Sequence, residues 1–263
     1  MISVLHLKGK QGCGPDTTGG IEMAGHSKWK NIQHRKERQD AKRASLFTKI
    51  SKEIFASVKA HGPDPAQNLR LRLALQKARD VNMPNDNIQR TIKKALGDVE
   101  GLTYEEIVYE GYGPHGVAIM VEVLTDNRNR SAAAVRHLFN KHGGNLGESG
   151  CVSYLFERKG VLEVEKATSS LDEDELLLVA LEAGAEDMRT HDDRFEIITA
   201  PADYEAVKKA LEAQQVPLAE ASITMLPTTS VDLSDEQKEE VLTLIDALEE
   251  NDDVQNVYSN VNW

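Results

Sequence analysis

The chain has 263 residues and a formal net charge of −12, a length that accommodates two or three domains. Its content of 40% apolar and 28% charged residues is typical of a globular protein, and the 5% of aromatic residues predicts cores built from Leu, Ile, Val and Ala. Two cysteines, Cys13 and Cys151, exclude a disulfide framework and favour a reducing, cytoplasmic compartment, and no apolar run approaches the roughly 18–20 residues that cross a bilayer.

The first part of the chain is predicted to be helical. Residues 1–22 are rich in glycine and lack the apolar core of a secretory signal, so we expect a disordered leader or an upstream extension there. Residues 27–43 are so polar that they predict only a loosely held helix or arm. Three amphipathic helices follow within residues 45–97, because apolar residues recur every three or four positions between turn residues. These apolar residues are Phe47, Ile50, Ile54 and Val58, then Leu71, Leu75 and Ala78, then Ile88, Ile92 and Leu96.

After residue 101 the apolar period changes to two, which indicates strands. The predicted strands are 107–112, 117–125, 152–156, 161–165, 195–199, 219–226 and 254–261, and the predicted helices are 131–142, 172–183, 202–214 and 235–250. This alternation favours α+β layers over a doubly wound sheet. Split β-α-β units of this kind build ferredoxin-like domains. If 161–226 forms one such unit, the flanking elements would complete another around it.

Charge is divided sharply along the chain. Residues 23–100 contain 17 Lys and Arg against 8 Asp and Glu, whereas residues 101–263 contain 12 against 33. Such a division is typical of a polyanion-binding module joined to an acidic body. The alternative is that the helices simply carry cations on their solvated faces.

The basic module, residues 23–100, also contains the aromatic and imidazole side chains that accompany nucleic-acid binding. Cations interleaved with one indole and two imidazoles suit phosphate neutralisation and stacking on an unpaired base. The predicted nucleic-acid-binding residues are His26, Lys28, Trp29, Lys30, His34, Arg35, Lys36, Lys42, Arg43, Lys49, Lys52, Arg90, Lys93 and Lys94. Trp29 could equally anchor a polar helix by packing. The last three lie on the third helix, which together with the second resembles a helix-turn-helix in outline.

One further polar run follows the second predicted strand: Asp126, Asn127, Arg128, Asn129 and Arg130. It fits either a turn with a helix N-cap or a polar contact surface. The glycine-rich loops at 111–116 and 143–147 lack the ending of a phosphate-binding loop and predict tight turns. The histidines show no zinc spacing, and no Gly-x-Ser-x-Gly elbow occurs. We therefore expect no catalytic, cofactor or metal site.

The segment Met23-Ala24-Gly25-His26-Ser27-Lys28-Trp29 resembles the start of proteins of the YebC/PmpR family. Other matching segments are 31–32, 34–36, 39–43, 47–50, 109–114, 126–130, 143–147, 180–187 and 252–255. The resemblance covers residues 23–263, and it makes Met23 the expected initiator because residues 1–22 precede the usual start. It implies a helical bundle followed by two ferredoxin-like domains, one inserted in the other. It also implies a cytoplasmic, non-enzymatic regulator of gene expression.

Members of that family are described as DNA-binding transcriptional regulators. Its mitochondrial relatives are described as translational activators of cytochrome c oxidase, and bacterial members have been linked to ribosomes stalled on proline runs. We therefore expect a DNA-binding regulator, with a ribosomal-RNA-binding translation factor and a protein-binding scaffold as alternatives, and with neither a membrane nor a small-molecule partner. The expected domains are a leader at 1–22, a basic helical domain at 23–100, an α+β domain at 101–157 plus 229–263, and an inserted ferredoxin-like domain at 158–228.

Overall fold

The computed structural model describes residues 43–97 and 103–263. The helices are α1 (Arg43–His61), α2 (Leu69–Asp80), α3 (Asn85–Leu96), α4 (Arg128–Lys141), α5 (Glu173–Glu182), α6 (Tyr204–Ala213) and α7 (Asp235–Glu249). The strands are β1 (Glu105–Tyr112), β2 (Ala118–Thr125), β3 (Asn145–Leu146), β4 (Phe156–Glu165), β5 (Ala185–Thr190), β6 (Arg194–Thr199), β7 (Glu220–Pro227), β8 (Val231–Asp232), β9 (Val254–Ser259) and β10 (Val261–Asn262). The predicted α+β class, with a helical region ahead of the sheets, is confirmed.

Helices α1, α2 and α3 share one apolar core. The predicted stripe of α1 is buried at Ile50, Ile54 and Val58. The turn into α2 is organised by Asn68, which accepts a hydrogen bond from the Leu71 N–H at 3.0 Å as the N-cap. Its amide also donates to the carbonyl oxygens of Ser57 and Gly62, each at 2.9 Å. One buried side chain therefore joins the end of α1 to the start of α2.

The first sheet is antiparallel and has the strand order β3-β1-β2-β9. Helices α4 and α7 cover one of its faces, where Val121 packs with Phe139 and Leu244 in the largest buried cluster. The opposite face is covered around Met120 by the segment that leads into the second sheet. Because β3 is an edge strand, the end of α4 and the loop after β3 lie at the margin of the molecule's first sheet.

The second sheet has the strand order β5-β6-β4-β7, and the chain runs β4-α5-β5-β6-α6-β7 through it. This is the split β-α-β arrangement of ferredoxin-like domains. Helices α5 and α6 pack on one face, where Leu176 and Leu211 contact Leu162 and Ile197. All of its strands lie between the two portions of the chain that build the first sheet. The exact domain boundaries given above remain a prediction.

Three local features differ from the sequence expectation. The predicted strand 152–156 is wrong, because a 3-10 turn occupies Ser153–Leu155 and only Phe156 belongs to a strand. The predicted strand 161–165 is the second half of β4, which starts earlier, at Phe156. Strand β5 was not predicted, because its polar sequence shows no clear alternation and a slip in register interrupts its pairing with β6. It is an edge strand, and such strands need bury only a small part of their surface. The two-residue strands β8 and β10 pair in parallel and carry no detectable sequence signal.

Candidate nucleic-acid interface

Most of the predicted nucleic-acid-binding side chains lie outside the described residues. These are His26, Lys28, Trp29, Lys30, His34, Arg35, Lys36 and Lys42; Arg43 begins α1, but its side chain also lies outside the described part. Their role stays a prediction. The described candidates are Lys49, Lys52, Arg90, Lys93 and Lys94, which fall into two groups.

The cations of α3 form the first group. Arg90, Lys93 and Lys94 are all exposed, while Ile88 and Ala95 of the same helix are buried in the bundle. The helix is therefore amphipathic, and its solvent-exposed face is basic. Lys93 and Lys94 lie in the last turn, where they also complement the helix dipole. These three side chains are accessible to a phosphate backbone.

Lys49 and Lys52 form the second group and contact the C-terminal part of the chain. The Lys49 ammonium donates to the carbonyl oxygen of Glu249 at 2.5 Å. The Lys52 ammonium donates to the carbonyl oxygen of Asp252 at 2.9 Å and to the carboxylate of Asp253 at 2.6 Å. The Lys52 side chain is only 12% exposed. In this arrangement both lysines fasten the helical domain to the first sheet domain, and a phosphate could reach Lys52 only if that contact opened.

Asp253 is the centre of this interdomain contact. The residue is only 5% exposed, and its carboxylate also accepts hydrogen bonds from the Ser131 hydroxyl at 2.7 Å, the Arg130 guanidinium at 2.9 Å and the Thr125 hydroxyl at 3.2 Å. Burial by itself raises the pKa of Asp253, but the hydrogen bonds from Lys52, Ser131 and Arg130 outweigh it and lower the pKa to about 2. We call Lys52, Thr125, Arg130, Ser131 and Asp253 the Asp253 cluster.

The polar run 126–130 supplies the start of α4 and part of this cluster. Asn127 is the N-cap, and its side chain accepts a hydrogen bond from the Arg130 N–H at 3.1 Å. Arg130 also pairs with Asp126 at 2.7 Å, and Arg128 pairs with Glu105 at 3.0 Å. Asn129 is exposed, as are the other four residues. The N-cap interpretation of this run therefore describes its local structure, and a contact surface at the same residues stays a prediction.

The segment 150–153, which follows the second glycine-rich loop, is held by a buried carboxylate that sequence reasoning did not single out. Glu110 on β1 accepts hydrogen bonds from the backbone N–H groups of Gly150, Val152 and Ser153 at 2.8, 2.9 and 2.7 Å. Burial works to raise the pKa of Glu110, but these three bonds lower it below its usual value. The sequence signal is weak, because Glu110 is one of three glutamates in β1 and differs from Glu105 and Glu106 only by lying among apolar residues within the predicted strand 107–112.

Within residues 43–97 and 103–263, no group of three or more His, Cys, Asp or Glu side chains is placed to hold a metal ion. Within the same ranges, no helix has the length and apolar character needed to span a membrane.

Comparison with known protein families accounts for nearly the whole chain. A family model described as the TACO1/YebC protein N-terminal domain matches residues 27–98, and one described as the TACO1/YebC second and third domain matches residues 104–261. The division between the two falls where the helical region gives way to the first sheet.

Individual relatives match over almost their full length. A protein of Geobacillus thermodenitrificans named "Probable transcriptional regulatory protein" is 59% identical over 239 residues, which cover 91% of this chain and 97% of the relative. The "Probable transcriptional regulatory protein YrbC" of Bacillus subtilis is 54% identical over 238 residues, covering 90% and 99% respectively. A crystal structure of a conserved hypothetical protein from Aquifex aeolicus is similar with a TM-score of 0.74 and 49% identity, over 84% of this chain and 91% of that one.

Proposed function

Because the chain belongs to the TACO1/YebC family, we propose that it is a nucleic-acid-binding regulator of gene expression that acts on transcription by binding DNA. The names of its relatives support a role in transcription. The observation that carries the binding proposal is the basic surface of α3 on an N-terminal module that is far more basic than the body. No catalytic step is part of this proposal, and its expected location is the cytoplasm.

The basic N-terminal module and the acidic body would orient the protein on a polyanion, with the module facing the phosphates. The body, residues 101–263, has 33 acidic residues against 12 basic ones and repels a phosphate backbone. Lys49 and Lys52 hold the helical domain on that body, while Arg90, Lys93 and Lys94 remain exposed. DNA would therefore approach from the side of the helical domain, and α3 is its first described contact.

The proposal is tested by measuring the affinity of the full chain for duplex DNA as a function of salt, by fluorescence anisotropy. Replacing Arg90, Lys93 and Lys94 with Gln should weaken binding and flatten the log–log salt slope by about 0.9 for each lost phosphate contact. A matched control replaces three cations of the body, Lys208, Lys209 and Lys238, with Gln. If both triple variants bind like the unaltered chain, α3 is not the DNA-binding surface.

A translation factor that binds ribosomal RNA is the second candidate. It is favoured by two exposed tyrosines, Tyr112 and Tyr154, because exposed aromatic rings stack on unpaired bases and a DNA duplex presents none. Co-sedimentation with ribosomes at about 150 mM salt, a screened physiological regime, tests this candidate. Retention on ribosomes in the presence of excess duplex would favour it over the transcriptional role.

A further inference from the structure

The second sheet is buried on both of its faces, although its helices pack on only one. Strand β6 is buried at all six of its positions. Helices α5 and α6 pack on the face that contains Leu162 and Ile197. When the second face of an antiparallel sheet is open to water, its side chains are ordinarily exposed. The face opposite α5 and α6 is therefore a covered surface.

The apolar side chains of this opposite face lie outside the cores described above. Strand alternation places Val161 and Ile198 on it, directly opposite each other across β4 and β6. They are only 7% and 4% exposed. Within residues 43–97 and 103–263, neither side chain belongs to any of the four buried apolar clusters. Their burial therefore points to a cover from another part of the chain or from a partner.

The same face carries a row of three glutamates across neighbouring strands. Glu163 on β4 is the cross-strand partner of both Glu196 on β6 and Glu220 on β7. Glu163 and Glu196 are buried, and they form ion pairs with Arg194 at 3.8 Å and with Arg189 at 3.6 Å, respectively. Like charges on directly opposite positions repel each other, and a buried charge is costly unless it is paired. The row therefore favours a cover that brings positive charge.

The face as a whole is acidic around this row. Strand pairing and alternation give it five carboxylates and two guanidinium groups, namely Glu163, Glu165, Asp187, Glu196, Glu220, Arg189 and Arg194. We call these seven residues, together with Val161 and Ile198, the acidic sheet face. A polyanion is repelled by such a surface, so the ligand that fits it is a cation-rich chain with a few apolar side chains.

Residues 23–42 of the same chain have this composition, and they lie outside the described residues. They contain six Lys and Arg against two Asp and Glu. Their large apolar side chains after Met23 are Trp29 and Ile32. The positive charge complements the excess of carboxylates on the acidic sheet face, and the two apolar side chains suit the pair Val161 and Ile198. We call residues 23–42 the basic segment.

The basic segment joins the described chain within reach of the acidic sheet face. Close to the start of α1, the Ser45 hydroxyl donates to the Asp252 carboxylate at 2.5 Å. From Asp252, strand β9 leads to Tyr258, whose side chain is in hydrogen-bond contact with Thr224 on β7, and β7 contains Glu220. This route is about 33 Å long at roughly 3.3 Å per residue. Twenty residues can reach about 66 Å, so the segment is long enough.

We propose that the basic segment docks on the acidic sheet face of its own chain. Its cations lie against the glutamate row, and Trp29 and Ile32 pack on Val161 and Ile198. Most of the predicted nucleic-acid-binding side chains belong to this segment, so docking withholds them from a nucleic acid. That consequence rests on the proposed function, whereas the docking itself does not.

The test follows the fluorescence of Trp29 in the full chain, in the absence of nucleic acid. The chain has two tryptophans, and Trp263 is only 9% exposed. The difference between the unaltered chain and Trp29→Phe therefore isolates the emission of Trp29. Docking predicts that acrylamide quenches this emission less than that of a synthetic peptide with the sequence of residues 23–42. Equal quenching in the chain and in the peptide would overturn the proposal.

A pair of glutamate variants tests which surface shields Trp29. Glu165→Gln with Glu220→Gln removes two half-buried carboxylates of the acidic sheet face. It should lower the ratio of docked to free segment about 2- to 30-fold, the range for two ion pairs near a protein surface. Glu182→Gln with Glu212→Gln removes two exposed carboxylates at α5 and α6, on the other side of the sheet, and is the charge-matched control. Identical behaviour of the two variants would place the segment elsewhere and overturn the proposal.

A variant of the basic segment tests the same contact from its other side. Replacing Lys28, Arg35 and Lys36 with Gln alters no described residue, so the fold of the second sheet stays in place. Quenching is measured along a salt titration, because screening releases a segment that is held by charge. The variant should expose Trp29 at a lower salt concentration than the unaltered chain requires. An unchanged midpoint would contradict docking through these cations.

Zero-length carbodiimide crosslinking distinguishes the chain's own segment from that of a second copy. Crosslinks between a lysine of the basic segment and Glu165 or Glu220 should occur in the monomer band. The same crosslinks confined to a dimer band would overturn docking within one chain. Because these assays contain no nucleic acid, a failure of docking leaves the DNA-binding test of α3 unaffected, and a failure of DNA binding leaves the docking result unaffected.

Discussion

Replacing Asp253 with Asn should destabilise the contact between the helical domain and the first sheet domain. In the Asp253 cluster the carboxylate receives hydrogen bonds from Lys52, Arg130 and Ser131, and an amide cannot accept from all three while pairing with two cations. The lowering of the pKa from 3.8 to about 2 corresponds to about 2 kcal/mol, at roughly 1.36 kcal/mol per pKa unit. We expect the variant to lose a free energy of unfolding of that order.

The measurement is urea unfolding of the full chain at pH 7, followed by circular dichroism. Glu239→Gln, which removes an exposed carboxylate from α7, is the control and should change stability by no more than about 0.5 kcal/mol. A double-mutant cycle with Lys52→Met should give a coupling energy within about 0.5–3 kcal/mol, because the two side chains are in direct contact. If Asp253→Asn lowers the free energy of unfolding no more than the control does, the cluster does not stabilise the interdomain contact.

The same cluster predicts a pH dependence. The pKa of Asp253 is lower in the folded chain than in the unfolded chain, so the unfolded chain takes up the proton first as the solution is acidified. The stabilisation is therefore complete above about pH 5 and is lost as the pH falls from the unfolded value, near 3.9, towards 2. The stability difference between the unaltered chain and Asp253→Asn should shrink over this range. A difference that stays constant down to pH 2 would contradict the assignment.

Two further predictions concern single buried side chains. Asn68→Ala removes the N-cap of α2 and two hydrogen bonds to the end of α1, so it should destabilise the helical domain by about 2 kcal/mol in urea unfolding, and Asn68→Asp should recover only the cap. Glu110→Gln weakens three bonds to the loop, so amide hydrogen exchange at Gly150, Val152 and Ser153 should accelerate about tenfold or more while the α3 amides stay unchanged. Exchange rates equal to those of the unaltered chain would mean that Glu110 does not hold the loop.

Local sequence patterns predicted the elements whose stability is local. The predicted apolar stripe of α1 is buried at Ile54 and Val58, because helical periodicity depends on residues only a few positions apart. Strand β5 escaped prediction because an edge strand can be polar and still complete a sheet. The early start of β4 at Phe156 depends on the pairing of its first half with β7, which the local pattern does not contain.

The positive charge of the candidate site was predictable from the sequence, but the contacts that its side chains make were not. The excess of cations in 23–100 and the exposure of Arg90, Lys93 and Lys94 both follow from composition and helical period. The engagement of Lys52 could not be foreseen, because its partner Asp253 is 201 residues away in the chain.

The measurement that tests the central claim most directly is a competition experiment with the full chain. Labelled promoter-length duplex DNA is bound at about 150 mM salt and challenged with unlabelled duplex and with ribosomes in turn. A DNA-binding regulator predicts that duplex displaces the label and that the Gln variant of Arg90, Lys93 and Lys94 binds it more weakly. Displacement by ribosomes at concentrations far below those of unlabelled duplex that are needed for the same effect would shift the function to translation. Failure of the unaltered chain to bind either one would contradict a nucleic-acid-binding function and leave a protein-binding scaffold.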